Sequence, residues 1–107
     1  MKDEAGLRFE VSVEVPDGRR FLWTGARPQC WGVVGVMHDG VPWWCEASIQ
    51  LIDRDELNPG ETGYGLLIPL TPSLWTQTRP GHRLELRDGE QVLARVRVDG
   101  VLGDAPA

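Results

Sequence analysis

The sequence predicts a small all-β domain, a closed barrel or sandwich of about six strands, and three observations carry that prediction. Residues 7–15, LRFEVSVEV, alternate apolar and polar side chains without a break, which is the period of a half-buried strand. Further extended runs follow, separated by turns rich in Gly, Pro and Asp. No apolar repeat at helical spacing persists anywhere. With 41% apolar and 25% charged residues the composition is that of a globular chain, so the 13 glycines and eight prolines read as turn punctuation rather than as disorder.

In the first run Leu7, Phe9, Val11, Val13 and Val15 share one face, and Arg8, Glu10, Ser12 and Glu14 the other. Pro16-Asp17-Gly18 supplies a tight reversal, from which RRFLW at 19–23 is expected to return antiparallel to the first strand. After the corner GARPQCW at 25–31, the run CWGVVGVMH is rich in β-branched residues. Its Gly32 and Gly35 predict bulges or sharp coiling. His38-Asp39-Gly40 ends it, and WWCEASIQLI resumes at 43–52. The charged DRDEL is expected to be loop, because Asn58-Pro59-Gly60 stops any helix there.

GYGLLIPL at 63–70 is a strand with Pro69 at an edge or bulge, and TPSLWTQTRPG at 71–81 a long connection. HRLELR and QVLARVRV then flank a turn at Asp88-Gly89, with Leu84 and Leu86 facing Val92, Ala94, Val96 and Val98. Residues 7–103 form one domain on this reading, with loose ends at 1–6 and 104–107.

A chain of net charge −5 is a poor match to nucleic-acid binders held mainly by phosphate neutralisation, so any basic face has to be local. MKDEAG at the start has no apolar run after its lysine, and no later segment approaches the ~20 apolar residues of a spanning helix. A soluble, cytoplasmic protein is the expectation. Two cysteines, Cys30 and Cys45, are too few for a disulfide framework and are expected to be reduced fillers.

Taken together, GARPQCW, LNPGE and GHRLELRDGEQVLARVRVDGVL resemble the C-terminal (third) β-barrel domain of translation elongation factor Tu, in the same order and over about residues 7–103. That family has a Gly-aromatic-Arg-Pro-Gln corner, a Pro-Gly-acidic turn and a final hairpin with an Arg-acidic-Gly turn. The corresponding residues here are Gly25 to Gln29, with Ala26 in place of the aromatic, then Pro59-Gly60-Glu61, then Arg87-Asp88-Gly89. The resemblance implies a six-stranded antiparallel Greek-key barrel with no catalytic centre and no cofactor. It also implies contacts with the tRNA T-stem, with the other domains of the factor and with its exchange factor. No GxxxxGK[ST] phosphate loop occurs, so nucleotide binding is not expected.

Carried over residue by residue, the resemblance makes Arg19, Arg20, Gln29, Arg87, Asp88 and Gly89 the candidate RNA-facing set. His38 falls near a threonine contact without identity. Arg79 is the sole cation in the connection where the family has a lysine, and Val33 stands where it has an arginine. These losses lower a salt-sensitive affinity, which disfavours tRNA or RNA as partner.

Five tryptophans are many for 107 residues, and each has a large apolar surface to place. Adjacent Trp43 and Trp44 cannot both face inward from a regular strand. Trp43, Trp44 and Trp75 are the candidate surface for an unidentified protein partner or for self-association, set against tryptophans lying flat over their own barrel end. Cys30, His38, Cys45 and His82 have no close paired spacing, so no metal site is expected, and a thiol or metal enzyme is the least favoured reading. Arg79, His82, Arg83, Arg87, Arg95 and Arg97 form the one local basic concentration. A solvated face balanced by Glu85 and Glu90 is preferred there to a phosphate site. The function expected is a non-catalytic binding module acting through protein contacts, a mimic or decoy of the full factor, with a translation-linked RNA binder as the alternative.

Overall fold

A computed structural model describes residues 6–16, 29–54 and 56–103, with residues 29–31 as backbone only. Six strands form a closed antiparallel barrel: β1 (Arg8–Glu14), β2 (Gln29–His38), β3 (Val41–Leu51), β4 (Thr62–Pro69), β5 (Arg83–Asp88) and β6 (Gln91–Leu102). Their order around the barrel is β1-β4-β3-β2-β5-β6, and β6 closes on β1. Placing β1 beside β4, after the consecutive β2-β3-β4, makes this a Greek key. Among the described residues no helix is long and apolar enough to cross a membrane.

The alternation read in the first run is the inside-outside pattern of β1. Leu7, Phe9, Val11, Val13 and Val15 are buried in the core, and Glu10 and Glu14 are exposed. Residues 19–23 lie outside the described residues, and β1 is paired with β4 from Phe9 to Glu14 and with β6 from Arg8 to Glu14. Both ladder edges of β1 are thus filled by strands remote in sequence.

Two tight turns are as the sequence reads. Asp39 and Gly40 both have positive φ, 54° and 78°, as a type I′ hairpin requires. Gly89 has φ 63° at the first position of the β5–β6 turn. Asp39 is tied down further: its N–H donates to Gln77 Oε1 at 2.9 Å, and Gln77 Nε2 donates to its Oδ1 at 2.6 Å. Asp39→Ala loses both the side-chain bond and a residue type that tolerates the left-handed region, so it should cost about 1–2 kcal/mol. Urea unfolding checks this, with Asp39→Asn expected to recover most of the loss.

Gly32 and Gly35 are not bulges, because β2 pairs with β3 from Gln29 to His38 without a register shift. They are close-approach points. A Cβ on Gly32 would lie 2.8 Å from the Arg87 carbonyl, and one on Gly35 would lie 3.1 Å from the Trp44 ring. The bulges fall at the edges of β6 instead. Glu10 pairs with Gly100 but Val11 with Val98, which leaves Asp99 as the extra residue, and the shift at Leu86/Arg87 leaves Leu93 unmatched. Consequently Leu93, not Val92, joins the buried set with Ala94, Val96 and Val98. Such bulges add the local coiling that closing a small barrel needs.

The connection at 52–61 is loop where described, as expected, but it contributes Leu57 to the core. Inward-facing Gly63 makes that room: a Cβ there would lie 3.2 Å from Leu57 Cδ1 and 3.3 Å from Leu51 Cδ2. The β4–β5 connection contains one 3₁₀ turn, Pro72–Trp75. Trp75 is fully buried, its ring 5.7 Å from that of Phe9. Assigning Trp75 to a partner surface is therefore wrong. Main-chain bonds from Leu74 to Thr71 and from Thr78 to Trp75 curl the connection and commit the indole to the barrel interior.

Candidate binding surfaces

Three places bear on function. The first is the end of the β2–β3 hairpin. β4 pairs with β3 from Ala47 to Leu51, and β5 pairs with β2 at Val33 and Val34. From Gly35 to Trp44 the hairpin therefore has ladder partners only within itself among the described residues. Trp44 keeps the outward phase and is 65% exposed. Trp43 carries the inward phase of Cys45, Ala47, Ile49 and Leu51, yet it sits beyond the paired wall and is 45% exposed. Alternation holds, and both tryptophans still reach solvent. Met37 and Val41 are exposed on the same hairpin.

The edge that β3 presents there is partly blocked. In a two-residue hairpin His38 and Val41 form the hydrogen-bonded pair, so Pro42 and Trp44 point their main-chain polar groups away from β2. Pro42 has no N–H to give, a common protection against strand addition. Contact at this tip is accordingly one of side chains.

The second place is the set inferred from the family resemblance. Arg19 and Arg20 lie outside the described residues. Gln29 opens β2 opposite Gln50, its side chain likewise outside the description. Since Val33 pairs with Arg87, the β5–β6 turn with Asp88 and Gly89 lies at the Gln29 end of β2, opposite to the Trp43 and Trp44 end. Asp88 and Gly89 are exposed. Arg87 is committed elsewhere: its Nε and Nη2 donate to Glu85 Oε1 at 3.1 and 2.6 Å, and its guanidinium carbon lies 5.7 Å from the Trp44 ring centroid. Arg79 is committed too, with Nη1 donating to the carbonyls of Thr76 and Thr78.

The third place is a groove of about 620 Å³ on the outer face of the barrel. Register builds it from two cross-strand rows. One row runs Tyr64, Ser12, Arg97, Arg83, and the next runs Thr62, Glu14, Arg95, Glu85. Trp44, lying over Gly35, forms the far wall. Ser12 is largely buried at the floor. It donates to Asp99 Oδ2 at 2.6 Å and accepts from Arg97 Nη2 at 3.1 Å, while Arg97 Nε donates to Asp99 Oδ1 at 2.9 Å. The bulge at Asp99 aims that carboxylate at the two partners.

The sequence groups Arg83, Arg87, Arg95 and Arg97 with Arg79 and His82, balanced by Glu85 and Glu90. Glu85 is in fact spent on Arg87. Arg83 and Arg95 have no carboxylate within 4.0 Å among the described residues, and Arg83 stands directly across from Arg97. The roles of Ser12, Tyr64 and Asp99 are not legible in sequence beyond the outward phase of Ser12, because they depend on which strands are neighbours.

Remaining polar candidates do not converge. Cys45 is buried, His38 Nε2 lies 3.4 Å from Asp39 Oδ2, and His82 Nδ1 accepts from the Arg79 N–H at 3.3 Å. Among the described residues no group of three metal-ligating side chains assembles. The Cys30 side chain lies outside the description. No protein-family model matches the chain, and no curated protein matches it either.

Proposed function

We propose that this chain is a non-catalytic binding module that works through protein contacts, with the end of the β2–β3 hairpin as its contact surface. The observation that carries this reading is the pair Trp43 and Trp44, both exposed on a hairpin with Met37 and Val41 beside them. Large aromatic side chains left in water at one place suit the centre of a protein interface. Resemblance to the third domain of elongation factor Tu supports the same reading, since the outer faces of that barrel pack on other domains. A mimic or decoy of the full factor is the role this implies, in the cytoplasm where that factor works.

The second reading, a tRNA or RNA binder, draws on Gln29 and the exposed Asp88-Gly89 turn sharing one end of the barrel. Net charge −5 and the commitment of Arg79 and Arg87 to internal partners weigh against it.

Trp44→Ser separates the readings. Stability should change by less than about 1 kcal/mol, because most of the side chain is already in water. Capture of a protein partner from cytoplasm, or self-association seen as solution mass, should fall at least about tenfold. A wild-type protein that is monomeric, captures no protein and binds labelled tRNA with a steep salt dependence would replace the first reading with the second.

A further inference from the structure

Resting on the protein-contact reading above, we propose that the groove beside Trp44 is a docking site for an acidic peptide segment of a partner protein: a carboxylate side chain binds between Arg83 and Arg97, with Arg95 beside it, and a neighbouring apolar side chain packs on Trp44.

Arg83 and Arg97 are directly opposed across β5 and β6, and like charges so placed repel unless an anion sits between them. Of this opposed pair, Arg97 alone is compensated among the described residues, by Asp99, and its bonds use Nε and Nη2. Its Nη1 and every donor of Arg83 remain uncommitted among the described residues. Arginine in this state is suited to planar, bidentate capture of a carboxylate. Asp99 and Ser12 hold the Arg97 guanidinium in place before any ligand arrives, which lowers the ordering cost of binding.

Trp44 is similarly placed in advance. It lies over Gly35, where a side chain would meet its ring at 3.1 Å, and the guanidinium of the Glu85-paired Arg87 lies over its ring, 5.7 Å from the centroid. The groove thus offers an aromatic wall and a cationic pair in one cleft, with Tyr64 at the opposite margin. An isolated carboxylate next to an apolar side chain matches both.

Charge also selects the class of macromolecule. Glu14 and Glu85 occupy the adjacent row of the same groove, and the chain as a whole is at −5. A nucleic acid would have to run repeated phosphates past those carboxylates. A peptide sets one carboxylate at the arginines and can turn its own N–H donors toward Glu14.

Three probes test this by fluorescence anisotropy on the full chain: a labelled peptide with one phenylalanine between glutamates, the same peptide with lysines for glutamates, and a labelled oligouridylate. The acidic peptide should bind saturably, the lysine peptide and the RNA should not. Arg83→Glu should weaken the acidic peptide by about tenfold, and Arg83→Lys should weaken it less. Trp44→Ser should lower affinity for the phenylalanine peptide but not for one with alanine in its place. Circular dichroism confirms that each variant is folded. No saturation by the acidic peptide up to about 1 mM, equal binding by Arg83→Glu, or tighter binding of the RNA would each overturn the assignment. Protein capture that survives in Arg83→Glu while wild type ignores the peptide rejects the groove alone. Loss of capture by wild type as well rejects the protein-contact reading beneath it.

Discussion

Trp75→Ala should lower the stability of the barrel by about 3–5 kcal/mol, the range for removing a large aromatic side chain from a packed core. Trp75 is the largest fully buried side chain among the described residues and rests against Phe9, which is itself fully buried in β1. Its segment supplies few other anchors, since the 3₁₀ turn has no side-chain cap and Leu74 is only partly buried. A small domain has about 5–15 kcal/mol in total. The thermal midpoint should therefore fall by roughly 15 °C or more. Trp75→Phe provides the control. It keeps a ring against Phe9 and removes an indole N–H that is buried with no hydrogen-bond partner among the described residues, a group whose burial costs about 1–3 kcal/mol. Its net loss should stay below about 2 kcal/mol. Urea unfolding followed by circular dichroism decides the matter, and an alanine variant within about 1 kcal/mol of wild type would mean that Trp75 is not packed in the core.

Gly65→Ala should come next, with a loss of about 2–3 kcal/mol. Gly65 is buried on β4 between Val11 of β1 and Leu51 of β3. A Cβ at this point would lie 2.6 Å from the Gln50 carbonyl oxygen and 3.2 Å from Ile49 Cγ2. The first is main chain inside a ladder and cannot swing aside, so the β3–β4 seam has to open or shift. Gly35→Ala supplies the contrast. Its nearest contacts are all on the Trp44 ring, an exposed side chain that can shift into solvent when a Cβ displaces it. That variant should keep most of its stability and show a changed tryptophan emission spectrum. Equal destabilisation by the two substitutions would contradict the close packing of β3 on β4.

Both predictions concern residues whose importance is unequally visible in sequence. Gly65 sits in a short strand beside Tyr64, where the sequence shows a glycine and nothing of what presses on it. The Trp75 indole lies in a connection with two prolines, a setting that normally places side chains at the surface. Its burial follows from Pro72–Trp75 turning over the barrel toward Phe9, a residue 66 positions earlier in the chain. The acidic-peptide groove has the same origin. Ser12, Arg97 and Arg83 are scattered along the chain, and only the β1–β6 and β5–β6 registers put them in one row.

Features that depend on near neighbours were legible in the residue order. Period-two alternation sets which face of β1 is apolar whatever strand it meets, and the positive φ at Asp39, Gly40 and Gly89 is a local demand of two-residue turns. The outward phase of Trp44 follows from the same pleat. The rest came from long-range packing: that β1 lies between β4 and β6, that bulges at Leu93 and Asp99 shift the phase of β6, that Trp75 turns inward, and that Glu85 is taken by Arg87 while Arg83 has no carboxylate partner among the described residues. Each of these turns on which strands become neighbours. That choice is made by the packing of the whole barrel, and no stretch of a few residues contains it.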